Sequence, residues 1–146
     1  MNYQKKIFIY LLIFLTASSY FLGFYLNENA AGAGFYSGDL GHVWKNVQIY
    51  LNNETIKSIN DPEIYSNRPP LLYLLHKYLN PLTTNIETFR LSVFLISIIS
   101  PILFFYCLIK KFDRTSKILL AVIAVTILLS PYYRTSGFWG LEENFG

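Results

Sequence analysis

Residues 91–109 read LSVFLISIISPILFFYCLI and carry no charged side chain. As a helix, this stretch rises about 1.5 Å per residue, which matches the roughly 30 Å hydrocarbon core of a bilayer. Residues 7–26 form a second uncharged block, and residues 118–133 form a third, shorter one. We therefore predict an all-α membrane protein with three transmembrane helices, at about residues 7–26, 88–110 and 116–134.

The composition of the whole chain agrees with this class. Apolar residues make up 53% of the 146 residues and charged residues only 14%, whereas about 25% of the residues of soluble domains are charged. The net charge of +3 is too small to indicate nucleic-acid binding. The single cysteine, Cys107, lies in an apolar block, so the sequence offers no internal disulfide and no Cys/His metal motif. A soluble enzyme and a nucleic-acid-binding protein are both disfavoured.

The second predicted span carries signals at its start and in its middle. Thr84 precedes the apolar block as a helix N-cap would, and Glu87, three residues later, completes the pattern of a capping box. Pro101 removes a backbone donor in mid-span and leaves a carbonyl without its usual partner. In a membrane a neighbouring group must satisfy that carbonyl, so we expect this span to be kinked and packed against other helices.

Basic residues mark one side of the predicted spans. They are Lys5 and Lys6 before the first span, and Lys110, Lys111, Arg114 and Lys117 between the second and the third. Because cytoplasmic loops are enriched in Lys and Arg, the amino terminus is predicted to be cytoplasmic, and residues 27–87 and the carboxy terminus extracytoplasmic. The abundance of Ile, Asn, Lys, Phe and Tyr favours an AT-rich genome and a bacterial inner membrane. A cleaved signal peptide is an alternative for the first block, because residues 31–33 read AGA.

The outer segment, residues 27–87, is predicted to hold two helices that lie on the membrane. Beyond Asp39 the apolar residues recur at helical spacing, and Trp44 and Tyr50 suit the headgroup level of a bilayer. A second apolar run follows two prolines and ends at Asn80-Pro81. We predict interfacial helices at about residues 39–51 and 70–79, which together form a two-helix cap on the bilayer.

Three features of the outer side have both a structural and a functional interpretation. Asp39 is either a helix N-cap or a base that takes a proton from a substrate hydroxyl at the membrane surface. Arg68 is either an exposed interfacial arginine or a phosphate clamp, since a guanidinium binds phosphate oxygens in pairs. Glu142 and Glu143 are either solvated residues beyond the third span or carboxylates that approach Asp39 over a shared cavity. The two histidines, His42 and His76, lack ligand spacing and are predicted to be packing residues.

The order of four motifs along the chain resembles the amino-terminal part of the glycosyltransferase C superfamily. The motifs are Gly38-Asp39-Leu40, YSNRPPLLY at residues 65–73, FRLS at residues 89–92, and SPYYR at residues 130–134 followed by Glu142-Glu143-Asn144. The nearest resemblance is to transferases that use polyprenyl-phosphate sugars, grouped with aminoarabinose transferases and protein O-mannosyltransferases. It covers nearly the whole chain.

The resemblance implies roles for particular residues. An acidic residue early in the first outer loop is the catalytic base in such enzymes, and that role falls on Asp39. The Glu142-Glu143 pair resembles a second acidic motif that lies near the donor phosphate, a divalent cation or the acceptor. Arg68 and Arg134 are our outer-face candidates for stabilising the leaving phosphate, although neither matches a family position. The partners implied are membrane lipid, a polyprenyl-phosphate sugar donor, and a glycan, lipid or protein acceptor.

Complete members of this superfamily have many more transmembrane helices than the three predicted here. We therefore expect the chain to represent the amino-terminal portion of a longer enzyme. The alternative from a different class is a non-catalytic three-span membrane protein, whose outer helices and kinked second span bind a membrane partner.

Overall fold

The computed structural model describes residues 3–32, 34–35, 38–64, 70–112 and 116–141. Every regular element within these ranges is a helix, in agreement with the predicted all-α class. The elements are α1 (Tyr3–Tyr25), α2 (Asp39–Asn52), α3 (Thr55–Ile59), α4 (Leu71–Leu79), α5 (Ile86–Lys111), α6 (Lys117–Val125), a 3-10 turn (Thr126–Leu129) and α7 (Pro131–Trp139).

Two helices, α1 and α5, are long and apolar enough to cross a membrane. Large apolar side chains cover their outward faces, for example Phe8 and Phe14 on α1 and Ile102 and Leu103 on α5, all of which are exposed. Such faces are stable next to lipid and costly in water, because each large apolar side chain gains about 1.5–3 kcal/mol when it leaves water. The helices thus indicate an integral membrane protein.

The third apolar block does not form one straight helix. The α6 helix tightens into the 3-10 turn, and α7 then departs from their common axis by 67°, so this pair makes a third span only if both arms count as one. The bend lies at Ser130, whose Oγ accepts a hydrogen bond from the Tyr133 N–H and so begins a new helix. Pro131 follows in the first helical position, where proline is favoured because no N–H is needed there. The predicted third span at residues 116–134 thus consists of two helical arms joined by a bend.

The start of α5 differs by one residue from the predicted one. Asn85, not Thr84, caps the helix by accepting from the backbone N–H groups of Glu87 and Thr88. Thr88 completes the capping box, since its Oγ1 accepts from the Asn85 N–H at 3.2 Å. The predicted Thr84 and Glu87 pair is therefore wrong, because an asparagine, which caps at least as well, lies one residue further on.

The carbonyl that Pro101 leaves without a helical partner is satisfied as predicted. Pro101 lies within α5 and has no N–H, so the Ser97 carbonyl four residues earlier loses its usual donor. The Tyr133 hydroxyl, from the start of α7, donates to that carbonyl. The Tyr20 hydroxyl of α1 lies 2.6 Å from the Ser97 side chain. Ser97 is consequently one point at which α1, α5 and α7 are joined by hydrogen bonds.

The apolar face of α2 packs against the protein itself. Tyr50 is only 2% exposed and stacks on Tyr73 of α4, with ring centroids 5.1 Å apart. Asn46 donates to the Tyr73 hydroxyl at 3.0 Å, and Trp44 lies 5.3 Å from the Phe89 ring of α5. Tyr50 is therefore covered by protein, and its predicted headgroup level stays a prediction. An amphipathic pattern shows that one helix face is covered but not what covers it.

Candidate functional site

An open pocket of about 480 Å³ lies where three separate parts of the chain meet. The chain that follows α1, the first residue of α2 and the bend before α7 each contribute to its wall. The lining residues are Ala31, Gly32, Asp39, Ile127, Ser130, Tyr132, Tyr133, Thr135, Ser136 and Leu141. One acidic residue and five residues that carry a hydroxyl group thus line a common space.

Asp39 brings the acidic group to this pocket. It is exposed and is the first residue of α2, while Gly38 occupies the N-cap position without a side-chain cap. The prediction that Asp39 is the N-cap is therefore wrong in this structure. Its negative charge lies in the first turn, where the helix dipole stabilises an anion. The carboxylate is thus held at the pocket by the start of a helix without being used as a cap.

The walls of the pocket are joined to each other by hydrogen bonds. The Ala31 N–H donates to Thr135 Oγ1 at 3.0 Å, which ties the segment after α1 to α7. Ser136 Oγ donates to the Leu141 carbonyl at 3.4 Å, which ties α7 to the chain that follows it. Tyr132, by contrast, projects from the wall and is exposed. Among the described residues that line the pocket there is no Lys or Arg, so these walls are neutral or acidic.

Arg134 fixes α7 behind the pocket. Its Nε donates to Glu28 Oε1 at 2.6 Å, and its Nη2 to Glu28 Oε2 at 2.5 Å. The remaining N–H groups donate to the Ser19 carbonyl, the Ser19 hydroxyl and the Leu128 carbonyl, at 2.9, 3.2 and 3.1 Å. A guanidinium has five N–H donors, and all five are used within the protein. Arg134 is buried and faces Glu28, not the pocket.

The ion pair between Arg134 and Glu28 fits closely against α1. The hydrogen bonds from Arg134 hold the pKa of the Glu28 carboxyl below its usual range. A Cβ added at Gly23 would lie 2.5 Å from both Arg134 Nη2 and Glu28 Oε2, so only glycine leaves room for the pair. The Glu28 carbonyl in turn accepts from Trp139 Nε1 at 2.8 Å. The two ends of α7 are therefore both tied to the segment that leads into the pocket.

Arg90 is a second buried cation, and the sequence reasoning gave it no role. Its Nε donates to the Phe138 carbonyl at 2.5 Å and its Nη2 to the Phe24 carbonyl at 3.1 Å. These carbonyls end α7 and α1, where a cation is stabilised by the helix dipoles. The guanidinium carbon also lies 4.7 and 4.5 Å from the ring centroids of Phe24 and Trp139. A charged residue near the end of an apolar span requires a partner, and that signal could have identified Arg90.

The remaining predicted site residues, Arg68, Glu142 and Glu143, lie outside the described residues. Within the described ranges, no group of three or more His, Cys, Asp or Glu side chains could hold a metal ion.

No protein-family model matches this chain, and no curated protein or solved structure matches it either.

Proposed function

We propose that the chain is an integral membrane glycosyltransferase, or the amino-terminal portion of one, that transfers a sugar from a polyprenyl phosphate to an extracytoplasmic acceptor. One observation carries the proposal: Asp39 lines a pocket in which the other polar residues among those described are Ser, Thr and Tyr. The resemblance of the motif order to the glycosyltransferase C superfamily supports it.

In this reaction Asp39 is the general base. It takes the proton of an acceptor hydroxyl while that oxygen attacks the anomeric carbon, and the bond from that carbon to the lipid phosphate breaks. A neutral, hydroxyl-bearing acceptor fits a wall of Ser, Thr and Tyr side chains next to a carboxylate, whereas a phosphate would be repelled by Asp39. We therefore assign the described pocket to the acceptor.

The departing phosphate needs cationic stabilisation from another side. Of the two arginines considered for it, Arg134 already donates all five N–H groups within the protein. We therefore propose that Arg134 positions α7 and that Arg68 is the residue to test as the phosphate ligand. Glu142 and Glu143 are candidates for contacts to the donor, to a divalent cation or to the acceptor.

The proposal includes an orientation in the membrane. Counting α6, the 3-10 turn and α7 as one broken span gives three spans, with the basic ends of α1 and α5 on the cytoplasmic side. The outer segment, the pocket and the carboxy terminus then lie on the extracytoplasmic side of a bacterial inner membrane. A lipid-linked donor reaches such a pocket from the bilayer, and the acceptor reaches it from the aqueous side.

Asp39→Asn in the complete protein tests the proposal. Asparagine keeps the shape of the side chain but takes no proton, and general base catalysis contributes about 10²–10⁴-fold to rate. Transfer from a radiolabelled polyprenyl-phosphate sugar, measured in membrane vesicles, is expected to fall by at least about 10²-fold. Asp61→Asn is the matched control, since Asp61 also lies in the outer segment but accepts from the Glu63 N–H away from the pocket.

Retention of transfer by Asp39→Asn, with insertion intact, would remove the catalytic assignment. If the chain is instead a non-catalytic protein that binds a membrane partner, neither substitution is expected to change its function. The membrane partner would then co-purify equally with both variants.

A further inference from the structure

One edge of the outer segment exposes large apolar side chains side by side. We call it the α3–α4 edge, and it consists of Ile56, Ile59, Leu75, Tyr78 and Leu79. These side chains are between 37% and 76% exposed. The two helices are in contact there, because the Tyr78 hydroxyl lies 2.7 Å from Thr55 Oγ1. Ile56 and Leu79, the neighbours of this pair in sequence, therefore bring exposed apolar side chains from both helices to the contact.

The opposite side of α4 is already covered by protein. Leu72, Tyr73 and His76 are buried, and Tyr73 packs on α2. Apart from His76 and Lys77, every side chain of α4 is a leucine or a tyrosine. A helix that is apolar on all sides is expected to be covered on all sides. The α3–α4 edge and Leu71 are thus the parts of α4 that remain to be covered.

The position of α4 along α5 sets its depth in the membrane. The His76 ring lies 4.7 Å from the Phe89 ring, and Asn80 Nδ2 donates to Ser92 Oγ at 2.7 Å. From Ser92 to Lys110 the helix rises about 27 Å at 1.5 Å per residue. With Lys110 at one boundary of a hydrocarbon core about 30 Å thick, Ser92 lies close to the other boundary. The second half of α4 is therefore level with that membrane surface.

We propose that the α3–α4 edge inserts into the interfacial layer of the bilayer, so that lipid is what covers it. Tyr78 suits this level, because aromatic rings with a hydroxyl group concentrate at membrane interfaces. Lys77 extends its ammonium group to the Asn53 carbonyl at 2.6 Å, as a lysine does when its stem lies on an apolar surface. The outer segment thus contacts lipid through α3 and α4, and not through the apolar face of α2.

Site-directed spin labelling tests this inference without reference to any transfer reaction. In a Cys107→Ser background, Ile56→Cys and Leu79→Cys carry the label, and Lys45→Cys on the solvent side of α2 is the matched control. The full chain is placed in phosphatidylcholine nanodiscs, and collision of the label with oxygen, which concentrates in lipid, is compared with collision with a water-soluble nickel chelate. We expect the ratio of oxygen to nickel accessibility to be at least threefold higher at residues 56 and 79 than at residue 45.

Two results would overturn the inference. Ratios at residues 56 and 79 equal to that at residue 45 would mean that the edge faces water. Low accessibility to both reagents at both sites would mean that protein covers the edge, either a second copy of the chain or another polypeptide. Unchanged emission of the two tryptophans, Trp44 and the buried Trp139, confirms that each labelled variant has kept its fold.

Discussion

Replacing Arg134 with methionine tests whether the ion pair with Glu28 fixes α7 in the bundle. Methionine keeps a long, unbranched side chain but removes the charge and all five hydrogen bonds. Removal of one partner from a buried ion pair costs about 3–5 kcal/mol, because the other charge is left uncompensated. Since the Glu28 side chain is 31% exposed and can be rehydrated, we expect the lower value, a loss of about 3 kcal/mol.

The same chain supplies a control for this substitution. Lys45 Nζ lies 3.0 Å from Glu63 Oε2, and both side chains are more than half exposed. Because exposed ion pairs contribute about 0–1 kcal/mol, Lys45→Met is expected to be almost neutral. Arg134→Lys retains the charge with three donors in place of five, so its loss of stability is expected to lie between those of the two methionine variants.

Unfolding in mixed micelles with an increasing fraction of sodium dodecyl sulfate measures these differences. A Trp44→Phe background leaves Trp139 as the single tryptophan, and its indole contacts the Glu28 carbonyl next to the ion pair. A loss of unfolding free energy below about 1 kcal/mol for Arg134→Met, no larger than that of Lys45→Met, would show that the ion pair does not hold α7 in place.

Two further results are expected. Tyr133→Phe removes the donor to the Ser97 carbonyl and is expected to lower the free energy of unfolding by about 1–3 kcal/mol. The loss is expected to be smaller in a Pro101→Ala background, because the alanine N–H can donate to that carbonyl. Equal losses in both backgrounds would contradict this explanation. Burial lowers the pKa of His76 from 6.5 to about 4, so only the unfolded state takes up a proton between these values. The free energy of unfolding is therefore expected to fall by about 3 kcal/mol as the pH drops from 6.5 to 4, and His76→Gln should flatten that profile; a wild-type profile that is already flat would refute it.

The long apolar helices could be predicted because contact with lipid depends on composition and length. The need for a donor to the Ser97 carbonyl, four residues before Pro101, was also predictable, since it follows from the chemistry of proline. The identity of that donor, Tyr133, was not, because it lies 36 residues away along the chain. Periodicity likewise identified the apolar face of α2 but could not tell a bilayer surface from α4 and α5.

The bend at Ser130 shows how one motif supports two interpretations. Ser-Pro followed by two tyrosines resembles the end of a membrane span, but serine before proline is also the start of a helix. For the site, the sequence singled out Asp39, whereas its association with the hydroxyls of residues 130–136 depends on the bend. The pairing of Arg134 with Glu28 joins residues 106 positions apart, beyond the reach of any local pattern.

The bend also has a consequence for how the protein is assembled during synthesis. The α6 helix and the 3-10 turn together rise only about 22 Å, less than the thickness of a hydrocarbon core, and the arm beyond them carries Arg134. Insertion of an arginine into lipid by the translocation machinery is unfavourable, and the cost reaches about 2.5–3.5 kcal/mol at mid-membrane. Glu28 is synthesised more than a hundred residues earlier and lies beyond the end of α1. If this bent pair is a third span, it is therefore a poor insertion signal by itself and depends on the helices made before it.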